Sequence, residues 1–296
     1  MQLTLEKIEA CPICKNKLNK PYLKCVDYSV SKDTFQLVQC TECTFTFTNP
    51  RPNQNQIVRY YQSADYISHS DTNKGIINKL YHVVRKKTLA EKLNLINRIH
   101  DKGHLLDVGC GTGAFLQICK KAGWIAKGSE PDKGAREVAE SKLNINIEVD
   151  ILTAYREEKF DVITLWHVLE HVHQLNKTIE KIISLMSNTA KLVIAVPNIN
   201  SHDATYFKNF WAAYDTPRHL YHFSQKTLET LMSKHGIKLD EIIPMKFDAY
   251  YISLLSTKNK YNKINFVEAI QEGYKSNTWA ENNNNNYSSL TYVFSK

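Results

Sequence analysis

From residue 104 onward the chain alternates short continuous apolar runs with longer segments whose apolar residues recur every three or four positions. Short runs of buried-type residues read as strands covered on both faces, and the periodic segments read as helices packed over them. Strands are expected at residues 104–108, 124–129, 145–149, 160–166, 190–196 and 238–245, and helices at 114–122, 133–143, 178–187 and 225–235. Residues 289–294 alternate apolar and polar and supply a last strand, entering antiparallel. Seven strands with interleaved helices predict an open, Rossmann-like α/β sheet with helices on both faces.

The first hundred residues read differently. Phe and Thr alternate over 44–48, a short strand that Pro50 and Pro52 stop. Residues 53–62 are helix-like, and 63–73 read as a loop. From 76 to 99, apolar residues at Ile76, Leu80, Val83, Val84, Leu89, Leu93, Leu95, Ile96 and Ile99 keep mostly helical spacing, which predicts one helix covering the sheet edge. The expected organisation is a small unit over 1–50, a helical connector over 51–100, and a sheet domain over 101–245 plus 287–296. Residues 246–286 are an insertion. Its first half is aromatic and helix-like, and its five consecutive asparagines have nothing to bury and are expected to be mobile.

The chemistry centres on Asp107-Val108-Gly109-Cys110-Gly111-Thr112-Gly113. A strand feeding a glycine-rich turn and then a helix makes a nucleotide-binding crevice. Gly109-x-Gly111-x-x-Ala114 also fits the dinucleotide fingerprint in its G/A form. Asp107 separates the two readings. A carboxylate inside a buried strand is costly unless a ligand cation answers it, and the amino group of S-adenosylmethionine (SAM) would do so. Glu130, at the end of the second strand, can accept from both ribose hydroxyls, with Pro131 beside it. Asp150 and Ile151, after the third strand, stand where an adenine amino group and ring would lie. The competing role for Asp150 is a turn cap.

Leu106 to Gly113 resembles the first motif of class I SAM-dependent methyltransferases. Two further stretches resemble the ubiquinone-methyltransferase-like group within that class. One is Gln39-Cys40-Thr41-Glu42-Cys43-Thr44-Phe45, a ribbon that precedes some of these domains, although a glycine commonly follows the last cysteine there and Thr44 stands here. The other is Pro217-Arg218-His219-Leu220-x-His222-Phe223-Ser224. The resemblance implies that residues ending the fourth strand, here Trp166 and His167, contact the methionine part and the substrate. In some ubiquinone O-methyltransferases a Glu-x-x-Glu-His pattern at this point is linked to a divalent cation. This chain has His167-x-x-Glu170-His171, so a hydrogen-bonded, pocket-lining histidine is the expected role of His167 and His171. Pro197-Asn198 lacks the tetrad of exocyclic-amine methyltransferases.

Composition narrows the field. Seven cysteines include Cys11-x-x-Cys14 and Cys40-x-x-Cys43, two knuckles that predict a structural zinc ribbon with a closed four-thiolate shell. Nothing in Met1–Lys7 resembles an export signal, and no apolar run approaches the roughly 18 residues of a membrane span. The cytoplasm is the expected compartment. The net charge of +8 is mild. Residues 11–43 carry five lysines and no arginine, without the basic-aromatic pattern of a nucleic-acid platform. A small-molecule acceptor is therefore expected rather than RNA, and the oligomeric state is left open.

The loop Trp211 to Ser224 crowds histidines, an arginine, an aspartate and aromatics past a strand's carboxyl end, where α/β enzymes build substrate sites. Tyr214, Asp215 and Arg218 are candidate substrate contacts, Arg218 alternatively pairing with Asp215. His171, His219 and His222 are the candidate general bases. The expected reaction is methyl transfer from SAM to a sugar, lipid or quinone-like hydroxyl. Its rivals are an RNA methyltransferase gripping nucleic acid through the ribbon, and a SAM-binding module without turnover.

Overall fold

The computed structural model describes residues 5–61 and 76–296, with only the helical backbone given for 76–84. The loop expected over 63–73 lies outside the described residues. The ribbon comprises β1 (Leu5–Glu6), β2 (Asn19–Val26), β3 (Thr34–Cys40), β4 (Thr46–Thr48) and β5 (Arg51–Pro52). A 3₁₀ turn, Ile57–Tyr61, replaces the longer helix expected there. Then come α1 (Ile76–Ile99), β6 (His104–Val108), α2 (Ala114–Lys121), β7 (Ile125–Ser129), α3 (Lys133–Leu143), β8 (Phe160–Trp166), α4 (Leu175–Leu185) and β9 (Met186–Pro197). The chain closes with α5 (His202–Phe207), β10 (Tyr221–His222), α6 (Gln225–Lys234), β11 (Lys238–Pro244), α7 (Lys246–Tyr261), α8 (Phe266–Glu281) and β12 (Ser289–Ser295).

The central sheet has six strands, not the expected seven, in the order β11-β12-β9-β8-β6-β7. β6, β7, β8 and β9 are parallel, and β12 enters antiparallel between β9 and β11. The missing strand is residues 145–149. Asn144 ends α3 in the left-handed region, and the Asp150 backbone carbonyl already accepts from Thr153 and Ala154 in the next turn. One bridge, Ser129 to Glu148, fits between these two bends. The glycine turn ends β6 as the pattern demands. Gly109, Gly111 and Gly113 all have φ between 53° and 72°, a region open to glycine at little cost. At α6, Ser224 accepts from the Thr227 amide while the Thr227 side chain returns to the Ser224 amide, a reciprocal cap.

Two features add to the sequence reading. The asparagine run is held: Asn283 and Asn286 bond Trp279 O and Asn283 O, and Gln225 Nε2 reaches Asn284 O, Asn285 O and Asn286 Oδ1. The ribbon is also not a bead on a linker. β10, from the histidine-rich loop, pairs with β4 as the edge strand of the ribbon sheet, in the order β10-β4-β3-β2. One hydrophobic core runs from Cys11, Ile13, Phe45 and Phe47 through Tyr221 and Phe223 into Leu228, Ile194 and Tyr292.

Candidate functional site: a cleft at the carboxyl ends of β6 and β8

Asp107 is 2% exposed and accepts a 2.7 Å hydrogen bond from Thr164 Oγ1 on β8. Burial pushes its carboxyl up to about 7, against the pull of Thr164 and of the Lys92 ammonium. The same burial pushes Lys92, on α1, down. A cleft of about 220 Å3 opens beside them, lined by Leu89, Lys92, Asp107, Gly109, Gly111 and Trp166 among others. Lys92 Nζ lies 4.3 Å from the Trp166 ring centre.

The three glycines do different work. A Cβ on Gly109 would lie 2.5 Å from Val168, and one on Gly113 would lie 2.8 Å from Leu143, so both are packing requirements. A Cβ on Gly111 would meet no atom of the described residues within 4 Å. Gly111 is thus the glycine that faces open space, and its amide donates to Glu130 Oε2 at 2.8 Å. Glu130 Oε1 accepts from the Asp132 amide, which orients the carboxylate at the end of β7 and leaves further lone pairs for a ligand. Pro131 is exposed beside it. Cys110 is buried against Gly128, and burial raises its thiol pKa. Asp150 is exposed, and its Oδ1 accepts from the Leu152 amide, which is the turn-cap role; Ile151 is packed in the core.

The second half of the site surrounds Glu170, carried on a 3₁₀ turn, Leu169–His171, where a longer helix would have stacked His167 on it. Glu170 is fully buried, and among the described residues neither carboxylate oxygen has a hydrogen-bond partner. His167 Nδ1 stands 3.4 Å from Oε1, an ion-pair contact without hydrogen-bond geometry. Burial pushes Glu170 up, but His167, His219 and His171 outweigh it and hold the carboxyl below its usual range. His167 itself, at φ 58°, is gripped from the other side by Asp248 Oδ2 at 3.3 Å. Burial lowers its pKa, yet the two carboxylates raise it to about 9.

His171 and His219 meet edge to face, 4.6 Å between ring centres, and their ring nitrogens lie with a Glu170 oxygen within 4.8 Å of one another. His219 Nδ1 is 2.8 Å from Ala213 O, and His171 Nδ1 is 3.1 Å from Arg218 O and 3.0 Å from Tyr61 Oη. A carbonyl can only accept, so His219 donates from Nδ1, and in the neutral ring its Nε2 carries the lone pair. Burial and the neighbouring His219 push His171 down to about 4.

Three candidates turn out to be structural. His222 is buried with Nε2 on Thr48 Oγ1 at 3.3 Å, and burial together with His219 pushes it down to about 3. Tyr214 is buried against Trp211 and His222. Arg218 is also buried. Its guanidinium is spent on Asp215 at 2.6 and 2.9 Å, on Asp27 of the ribbon at 3.1 Å and on Tyr60 O at 2.7 Å. The pairing with Asp215 is therefore the alternative that holds, and neither residue is free for an acceptor. Thr164, Tyr61, Lys92 and Asp248 are the contributors that sequence reasoning missed. Lys92 left one trace, a charged residue inside the apolar stripe Leu89, Leu93, Ile96. Asp248 left none, because the insertion that carries it has no motif.

Away from the cleft, the four ribbon sulfurs lie within 4.8 Å of one another, with Cys11–Cys43 at 3.5 Å and Cys14–Cys40 at 3.4 Å. Tetrahedral zinc with bonds of about 2.3 Å spaces its sulfurs by about 3.8 Å, so the set fits that ion. Each knuckle closes alike: Lys15 and Thr44 both take positive φ and return their amides to Cys11 O and Cys40 O. Thr44, at φ 63°, thus adopts a backbone conformation that favours glycine.

The model of a family described as a methyltransferase domain matches residues 81–242, more than half of the chain. The chain belongs to that family. A ubiquinone biosynthesis O-methyltransferase of Coxiella burnetii is 31% identical over 129 residues, which cover 41% of this chain and 53% of that protein. The chain thus spans about half the length of the curated relatives it matches. Magnesium protoporphyrin IX methyltransferase from Synechocystis shares the fold, with a TM-score of 0.54 at 14% identity over 81% of this chain and 99% of that one, in a crystal with S-adenosylhomocysteine (SAH) bound. A second crystal of it holds SAM, with a TM-score of 0.52, 15% identity, and coverage of 83% and 99%.

Proposed function

We propose that the protein is a SAM-dependent methyltransferase acting on a hydroxyl of a small molecule of the sugar, lipid or quinone-like kind, with zinc held structurally by Cys11, Cys14, Cys40 and Cys43. One observation carries the cofactor: a buried carboxylate, Asp107, at the floor of a cleft whose one open glycine, Gly111, is tied to Glu130. When bound, SAM supplies a methyl group already activated by its sulfonium. Asp107 answers the ligand's ammonium, Glu130 takes the ribose hydroxyls, and Trp166 closes one wall. His219 holds its Nε2 lone pair toward the Glu170 pocket and takes the proton of the attacking hydroxyl; His171 and Tyr61 hold that ring edge in place. Such a base is worth roughly 10²–10⁴-fold. His167 is a cation between two carboxylates and positions rather than accepts.

A second reading has one observation of its own. The unpartnered oxygens of Glu170 with His171 and His219 form a donor set that a divalent cation would satisfy. Elemental analysis separates the two: one zinc per chain and no second metal favours the histidine base.

The test of the cofactor site is calorimetric titration with SAH, NADH serving as control. Ligand ammonium binds ionised Asp107, which is protonated in the free protein below about pH 7. Affinity should therefore fall about tenfold per pH unit below 7 and level off above it. Asp107→Asn should weaken binding at least about tenfold and flatten the slope. NADH binding in place of SAH would overturn the reading. Among acceptors that turn over, His219→Asn should lower kcat by about 10²-fold or more while SAH affinity holds.

A further inference from the structure

The helical hairpin of α7 and α8 is built inside out. α8 turns Ala269, Glu272, Gly273, Ser276, Asn277 and Ala280 inward, and leaves Phe266, Val267, Ile270 and Tyr274 outward at 44, 66, 61 and 61% exposure. An amphipathic helix folded only for stability does the reverse. The inward face is small because the helices nearly touch: a Cβ on Gly273 would stand 2.6 Å from the Tyr250 ring and 2.9 Å from its Cα. Ser276 Oγ and Ser288 Oγ meet the buried carboxylate of Asp203. Packing thus leaves much of the surface of these four large apolar side chains in water.

The charged side chains exposed along that stretch are lysines. Between residues 258 and 275 stand Lys258, Lys260, Lys263 and Lys275, against Glu268 and Glu272. The glutamates turn inward, with side-chain exposures of 13% and 3%, and are paired with Lys260 and Lys275. Lys258, Lys263 and Lys275 are exposed, as is Tyr261 at the end of α7. Apolar and tyrosine side chains rimmed by lysine are the make-up of a surface that rests in the headgroup region of an anionic bilayer. A second copy of this chain, docked face to face about a two-fold axis, would set these lysines against one another.

We infer that the outward face of α8, with the tip of the hairpin at Tyr261 and Lys263, docks the protein on anionic phospholipid. The proposal stands apart from the methyl-transfer reading, since its measurement involves no turnover. The test is flotation of the full chain with phosphatidylcholine vesicles, with and without phosphatidylglycerol, over a range of salt. Wild-type protein should float with the anionic vesicles alone and detach as salt rises. Ile270→Glu, and separately Lys263→Glu, should each reduce the bound fraction at least about tenfold, with SAH affinity and melting temperature unchanged as the check on folding. Three results would overturn it: no flotation at low salt, flotation that Ile270→Glu retains, or a dimer in light scattering that Ile270→Glu dissociates.

Discussion

Gly111 and Gly113 sit two residues apart with nearly the same backbone strain and opposite surroundings. Gly113 is closed in by Leu143 and Ala139; Gly111 looks into open space. Gly113→Ala must push α3 away from the turn and should cost about 2–3 kcal/mol in urea unfolding, the overpacking added to the left-handed penalty. Gly111→Ala meets only the left-handed penalty of about 1–2 kcal/mol, but its methyl enters the space a ligand would take. Its SAH affinity should fall at least about tenfold while the unfolding midpoint moves less than that of Gly113→Ala. Equal loss of affinity in both variants would assign the open space to solvent. The G-x-G-x-G spacing was legible in the sequence; which glycine faces open space was not, because that depends on what α3 and Val168 bring alongside.

At the scale of elements, the loop between β9 and α6 illustrates how a motif reading goes astray. Histidines, an arginine and aromatics on one loop suggested a substrate platform, and His219 does stand beside Glu170 and His171. Its neighbours instead bind the loop to the ribbon: β10 extends the ribbon sheet, Thr48 Oγ1 donates to His219 O at 2.9 Å, and Arg218 reaches Asp27. Arg218→Met would leave two carboxylates without their cation. We expect a loss of about 3–5 kcal/mol in chemical unfolding, and a smaller further loss when Asp27→Asn is added, since the two share one interaction. A loss under about 1 kcal/mol would return Arg218 to the acceptor.

At the scale of the molecule, the two groups of candidate residues depend differently on the ribbon. Asp107, Thr164, Gly111 and Glu130 hang on β6, β8 and β7 alone. Glu170 and His219 hang on the loop that the ribbon braces, through Leu220 N to Glu170 O and Thr48 to His219 O. Chelation, or Cys40→Ser, should therefore lower the melting temperature and turnover while SAH affinity stays within about threefold, given that structural zinc is worth roughly 10–16 kcal/mol to the segment that folds around it. Parallel loss of SAH binding would mean that the ribbon supports the sheet as well as the loop.

By itself the sequence determined whatever depends on near neighbours in the chain. The glycine turn, Asp107 before it, Glu130 one strand later and the four paired cysteines were all legible, because a strand end, a tight turn and a metal knuckle each impose residue types at fixed short spacings. Five of six sheet strands up to residue 245 were legible for the same reason, and the sixth failed where Asn144 and Asp150 bent the chain at both ends. Only tertiary structure could bring Lys92 and Asp248 to the cleft, set Tyr61 on His171, 110 residues away, and turn His222 into a partner of Thr48 at a separation of 174. Contacts at such distances are set by how helices and loops pack over the finished sheet. No local period or spacing records that packing, so the grouping of Asp107 with Gly111 and Glu130 could be read from the chain and that of Glu170 with His171 and His219 could not.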